Sequence, residues 1–135
     1  LTTQALLFLD KARRCLANAR AIVGIGLADD AGRNAYYGCF HAAQALIFAR
    51  TGKIAKTHHG VHSQFFLLAG KEPAIAPELA AVMSRNYDLK AISDYEVDPG
   101  LVVSLPRAEA AIDDAQRLLD CIAGLIERRE PSLPE

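Results

Sequence analysis

Arg33-Asn34-Ala35-Tyr36-Tyr37-Gly38-Cys39-Phe40-His41-Ala42-Ala43-Gln44-Ala45-Leu46-Ile47 is the stretch whose reading decides the fold. At about 3.6 residues per turn, Tyr36, Cys39, Phe40, Ala43, Leu46 and Ile47 fall on one apolar stripe, which predicts a helix buried along that side. Arg33, Tyr37, His41 and Gln44 line an adjacent polar stripe. Cationic, aromatic and imidazole groups stacked in this way suit a phosphate, a base or a partner helix. They equally suit a polar seam satisfied inside a bundle or a dimer interface.

Working outward, the segment from Thr3 to Ile25 places Ala5, Phe8, Leu9, Ala12, Cys15, Leu16, Ala19, Ile22 and Val23 at three- and four-residue spacing. This predicts a first amphipathic helix, weakened at its end by Gly24 and Gly26. Asp29 and Asp30 place carboxylates at the start of the second helix, which is expected to stop near Gly52. Thr57 is a candidate cap for a third helix, closed by Gly70. Pro77 suits the first turn of a fourth helix, predicted as one unbroken run that frays near Ser93. Asp94 to Gly100 then reads as a loop, because Asp98-Pro99-Gly100 favours a turn. Ser104 is a candidate cap for the last helix, whose Ala108, Ala111, Ile112, Ala115, Leu118, Leu119, Ile122, Leu125 and Ile126 give the cleanest period in the chain. Leu101-Val102-Val103 is too short to build a sheet. The expected architecture is all-α, a four- to five-helix up-and-down bundle forming a single domain over residues 1–130, with 131–135 a loose tail.

Composition agrees with a bundle of ordinary size. The 135 residues are 51% apolar and 23% charged, enough for a core without metals or disulfides. No run of roughly 18 apolar residues occurs, so no membrane span is expected. The opening Leu1-Thr2-Thr3-Gln4 lacks the basic segment and apolar block of a secretory signal, and the expected location is the cytoplasm. Cys15, Cys39 and Cys121 are odd in number and lie among apolar neighbours, which points to buried thiols. The net charge of −1 conceals an asymmetry: residues 1–60 carry +5 and residues 61–135 carry −6. Such a split suits an anionic ligand or self-complementary assembly.

Many common chemistries are excluded by missing residues. The chain has no Walker-type loop, no dinucleotide glycine fingerprint, no Gly-x-Ser-x-Gly and no Cys-x-x-Cys. His58, His59 and His62 have helical spacing, but no neighbouring acid completes a metal set. With Lys53 and Lys56 they are expected to form a mildly basic patch, with no metal and no cofactor. A third cluster, Arg85 to Tyr95, offers two readings: a Lys90–Asp94 ion pair, or a phosphate site on Arg85 or Lys90.

Taken with Lys56-Thr57-His58-His59-Gly60-Val61 and Ser93-Asp94-Tyr95, the Arg33–Leu46 stretch resembles the HEPN superfamily, in particular its small stand-alone prokaryotic members. The resemblance runs from about Leu6 to Leu125 with the motifs in order. It implies a helical bundle, usually homodimeric, often encoded beside a minimal nucleotidyltransferase as a toxin–antitoxin pair. It also implies, for many members, a metal-independent ribonuclease site in which Arg is followed after four to six residues by His. There the Arg stabilises charge on the phosphate and the imidazole moves the proton of the ribose 2′-hydroxyl.

This chain departs from that motif. Counting from Arg85 reaches Lys90, Ala91 and Ile92, and Arg33 and His41 are separated by seven residues. With Lys90 in the Arg position, Tyr95 takes the His position, and a phenol that titrates near about 10 is a poor base at neutral pH. The resulting expectation is a binding and assembly module partnered by a nucleotidyltransferase-type protein, RNA or nucleotide. Arg33, Tyr37, His41, Gln44 and Arg85 would be its ligand or interface residues, and Lys90, Asp94 and Tyr95 the vestige of a catalytic site. The alternative is an active ribonuclease with Arg85 or Lys90 on phosphate and His41 or Tyr95 in proton transfer.

Overall fold

The computed structural model describes residues 3–98, 100 and 102–128. Six helical runs follow in order: α1 (Thr3–Gly24), α2 (Ala28–Thr51), α3 (His58–Ala69), α4 (Pro77–Ala80), α5 (Val82–Tyr95) and α6 (Leu105–Arg128). There is no strand among the described residues, and the expected all-α bundle is what forms. The tail expected over 131–135 lies outside the described residues.

Helix α2 is the hub. It packs against α1, α3, α5 and α6, and its buried residues include Ala31, Ala35, Tyr36, Cys39, Ala42, Ala43, Leu46 and Ile47. A helix apolar over most of its circumference belongs at the centre of a bundle. The outer helices bury narrower stripes. In α1 the buried residues are Ala5, Leu9, Ala12, Leu16 and Ala19. In α6 they include Ala108, Ile112, Ala115, Leu119, Ile122 and Ile126. Cross-helix contacts fix the directions. Leu16 lies against Gly38, Asn86 reaches Cys39, and Arg13 and Arg20 face Glu127 and Asp113. The last two pairs run α1 and α6 in opposite senses, and Asn86–Cys39 with Arg33–Asp94 does the same for α2 and α5.

The helix ends follow the chemistry of their sequences. Gly52 adopts φ 72° and donates its N–H to Phe48 O, ending α2 with the left-handed cap that glycine allows. Thr57 accepts from Gly60 N at 2.9 Å, and Ser104 accepts from Arg107 N at 3.2 Å, so both expected caps form. Pro77 occupies the first turn of α4. Cys39 is buried, Cys15 and Cys121 are half-buried, and all three are free thiols.

The predicted fourth helix differs in two ways. It is interrupted at Ala81, although Ala81 and Arg85 still donate to Pro77 O and Ala81 O. It also continues past Ser93 to Tyr95, because Glu96 N still bonds Ile92 O and Lys90 pairs with Asp94 one turn on. Asp94 and Tyr95 therefore stand in the last turn of α5 rather than in a loop.

Candidate functional site

The face where α2, α3 and α5 meet carries two polar clusters side by side. In the first, Asp94 is held by two cations. Arg33 Nε donates to Asp94 Oδ1 at 2.7 Å, and Lys90 Nζ lies 2.5 Å from Asp94 Oδ2. Arg33 also pairs with Asp30, one turn earlier on α2. The Lys90 ammonium holds the Asp94 carboxyl below its ordinary value, with Arg33 adding to the effect. In return Asp94 raises both Lys90 and Arg33. Charge-assisted bonds to both oxygens make this a strong join between α2 and α5.

In the second cluster the hydroxyl of Tyr36, a residue with no exposed surface, meets two imidazoles. Tyr36 Oη is 2.7 Å from His58 Nδ1 and 2.9 Å from His62 Nε2. A phenol has one proton to donate, so one neutral imidazole accepts it while the other donates to the oxygen. Burial lowers the pKa of both histidines, with the Lys90 charge acting further on His58 and that of His58 on His62. Burial also drives the Tyr36 hydroxyl far above its ordinary range. Aromatic rings enclose the group: Tyr37 and Tyr87 lie 5.2 and 5.3 Å from Tyr36, and Phe40 lies 5.1 Å from His58. Tyr37 stands one turn from Arg33 on α2 and Tyr87 one turn from Lys90 on α5, so the two clusters adjoin.

The remaining predicted residues sort differently. His41 and Gln44 form a separate clamp, in which His41 Nδ1 contacts Gln44 Oε1 at 2.7 Å and Gln44 Nε2 donates to Ala55 O at 2.8 Å. Burial lowers the pKa of His41, with the charges of Lys11 and Arg14 on α1 adding to the effect. Tyr37 lies between, stacked on His41 at 6.1 Å and tilted towards His58. The polar stripe of α2 is thus divided between two tasks. Arg85 is not brought to Lys90: it faces Asp114 of α6 at 3.6 Å, in a small cleft shared with Arg107. Five helical positions rotate the two side chains about 140° apart. Tyr95 is 79% exposed.

The expected basic patch also requires correction. Lys53, Lys56 and His59 are exposed, whereas His58 and His62 turn inward to Tyr36 and are held neutral by burial. Among the described residues no three His, Cys, Asp or Glu gather as a metal site, and no helix is long and apolar enough to cross a membrane. Sequence reasoning missed Tyr36 and Tyr87 as site residues. The available signal was that a buried tyrosine hydroxyl must find a partner, and the His58/His62 pair is spaced to provide one.

Comparison with known proteins settles the family. A HEPN domain family model matches residues 5–127. The chain belongs to the HEPN domain family. Among its relatives by sequence is a "UPF0332 protein" of Archaeoglobus fulgidus, 28% identical over 82% of this chain and 90% of the other. "Putative toxin MJ0605" of Methanocaldococcus jannaschii is 30% identical over 84% and 82%. The crystal structure of TT1696 from Thermus thermophilus shares the fold, with a TM-score of 0.73 and 23% identity over 90% of this chain and 97% of that one.

Proposed function

We propose that this HEPN protein is a binding and assembly module, one component of a toxin–antitoxin-like pair acting in the cytoplasm as a homodimer with a nucleotidyltransferase-type partner and with RNA. The observation that carries the RNA reading is the convergence of Arg33 and Lys90, from different helices, on Asp94, each one turn from a tyrosine, Tyr37 on α2 and Tyr87 on α5, that packs against His58. Cations one turn from aromatic rings suit a ligand that carries both phosphate and base. The toxin name carried by a relative supports the pairing. Titration of a fluorescent single-stranded RNA at several salt concentrations tests this. Binding that weakens steeply with salt supports it; a protein that binds neither RNA nor a co-expressed nucleotidyltransferase sinks it.

A second reading, metal-independent RNA cleavage, is favoured by the placement of His58. Its ring lies 5.8 Å from that of Tyr87, which stands one turn before Lys90 on α5, so α3 brings up an imidazole that the linear motif lacks downstream of Arg85. Burial keeps that imidazole neutral and so able to accept a proton at pH 7. Incubating RNA with the protein in chelator and assaying for 2′,3′-cyclic phosphate ends decides between the two readings.

A further inference from the structure

The geometry points to Asp94 as a built-in occupant of a phosphate site: Arg33 and Lys90 form an anion pocket that the Asp94 carboxylate fills until a phosphate group of single-stranded RNA displaces it. This inference rests on the RNA-binding reading above and adds how the site is kept closed.

Two helices contribute to the pocket, with Arg33 from α2 and Lys90 from α5. Each oxygen of Asp94 takes one cation, Oδ1 from Arg33 and Oδ2 from Lys90. Two oxygens bonded to two cations is also the arrangement a phosphodiester presents with its non-bridging oxygens. The pocket lies open to solvent, because the side chains of Arg33 and Asp94 are 32% and 21% exposed.

Two features lower the cost of displacement. Asp94 stands in the last turn of α5, and Glu96 directly after it is already extended, at φ −83° and ψ 126°. A terminal turn opens at far lower free energy than the core. Arg33 also keeps Asp30 as a partner when Asp94 leaves, so the guanidinium is never left bare. With Asp94 in place the Arg33, Lys90, Asp30 and Asp94 charges sum to zero; with Asp94 turned out they sum to +1, which one phosphodiester neutralises. An internal carboxylate competes at high effective concentration. A single free phosphate therefore competes poorly, and a polymer that makes further contacts competes well.

The experiment compares the full chain with its Asp94→Asn variant, using a fluorescent ten-nucleotide RNA, ATP and inorganic phosphate as probes. Asp114→Asn, which frees Arg85 on the other side of α5, is the control for a general gain of positive charge. Asp94→Asn is expected to bind the RNA about tenfold more tightly, with a salt dependence steeper by one to two phosphate contacts, while Asp114→Asn stays within about twofold of the parent. Stronger gains for ATP than for RNA identify a nucleotide phosphate as the ligand and overturn the RNA assignment. Equal gains in the two variants overturn the pocket. Where Asp94→Asn folds poorly, carboxyl NMR of the unsubstituted chain gives the answer. At saturating RNA the Asp94 signal is expected to move to a solvent-exposed position and its pKa to return towards 3.8; an unmoved signal refutes displacement while leaving RNA binding intact. Absence of RNA binding in both the parent and Asp94→Asn defeats the functional reading itself.

Discussion

Gly38 lies so close to Leu16 that a β-carbon there would stand 2.6 Å from Leu16 Cδ2 and 2.9 Å from its Cγ. Leu16 is buried, only 2% exposed, and Ala12 O closes the same contact at 3.6 Å. The approach of α1 to α2 is therefore set by an absent side chain.

Gly38→Ala is expected to destabilise the protein by about 1–2 kcal/mol, overpacking outweighing the roughly 1 kcal/mol by which alanine favours a helix. Gly24 is the opposite case, since a β-carbon added there would meet nothing within 4 Å. Gly24→Ala is expected to stabilise by about 0.5–1 kcal/mol. Thermal denaturation followed by circular dichroism reads both, and a neutral Gly38→Ala would show that α1 shifts freely.

Stability is expected to fall on mild acidification. His41, His58 and His62 titrate below their ordinary 6.5 in the folded chain, burial being the leading cause for each. A lowered folded pKa means that the unfolded chain takes up the proton first. The stabilisation is thus complete above about pH 6.5 and is lost as the pH falls through the folded values. The melting temperature should hold level between about pH 7 and 8, then decline below about pH 6. Replacing His58 and His62 together by Gln should flatten most of that decline. Asp94, lowered from 3.8, adds a separate loss at more acid pH.

RNA binding should separate Arg85 from Lys90. Lys90→Ala is expected to weaken RNA binding by about tenfold and to reduce the salt slope, because it removes a phosphate contact. Arg85→Ala, which alters only the α5–α6 cleft, should change affinity by less than about twofold. The reverse ranking would move the binding face to α6.

Gln44→Ala should loosen the α2–α3 connection. Gln44 is 7% exposed and ties Ala55 O to His41. Its removal strips that carbonyl of its side-chain donor, at a cost of about 1–3 kcal/mol. Hydrogen exchange should accelerate across residues 52–57 while α1 and α6 remain protected; unchanged exchange there would show that the clamp is dispensable.

The fold was legible because helical period, caps and turn residues agreed: the apolar stripe of α6, Thr57, Ser104 and Gly52 all act as their residue types predict. The site was legible only in pieces. Spacing along one helix correctly pairs Lys90 with Asp94, since that contact is local. It cannot pair Arg33 with Asp94, 61 residues apart, or Tyr36 with His58 and His62, since those contacts depend on how α2 meets α5 and α3. Period alone also assigned Tyr36 wholly to the apolar stripe. Its ring does belong there, but its hydroxyl does not.

Helix α3 buries only Val61, Phe65 and Ala69, yet it carries both imidazoles that meet Tyr36. The two imidazoles consequently ride on a helix with a far thinner hydrophobic footing than α2, and its opening free energy is expected to lie well under that of α2. A ligand bridging His58 and Lys90 would clamp that helix, so occupancy should be recorded as slowed amide exchange along α3 before any change in the rest of the bundle.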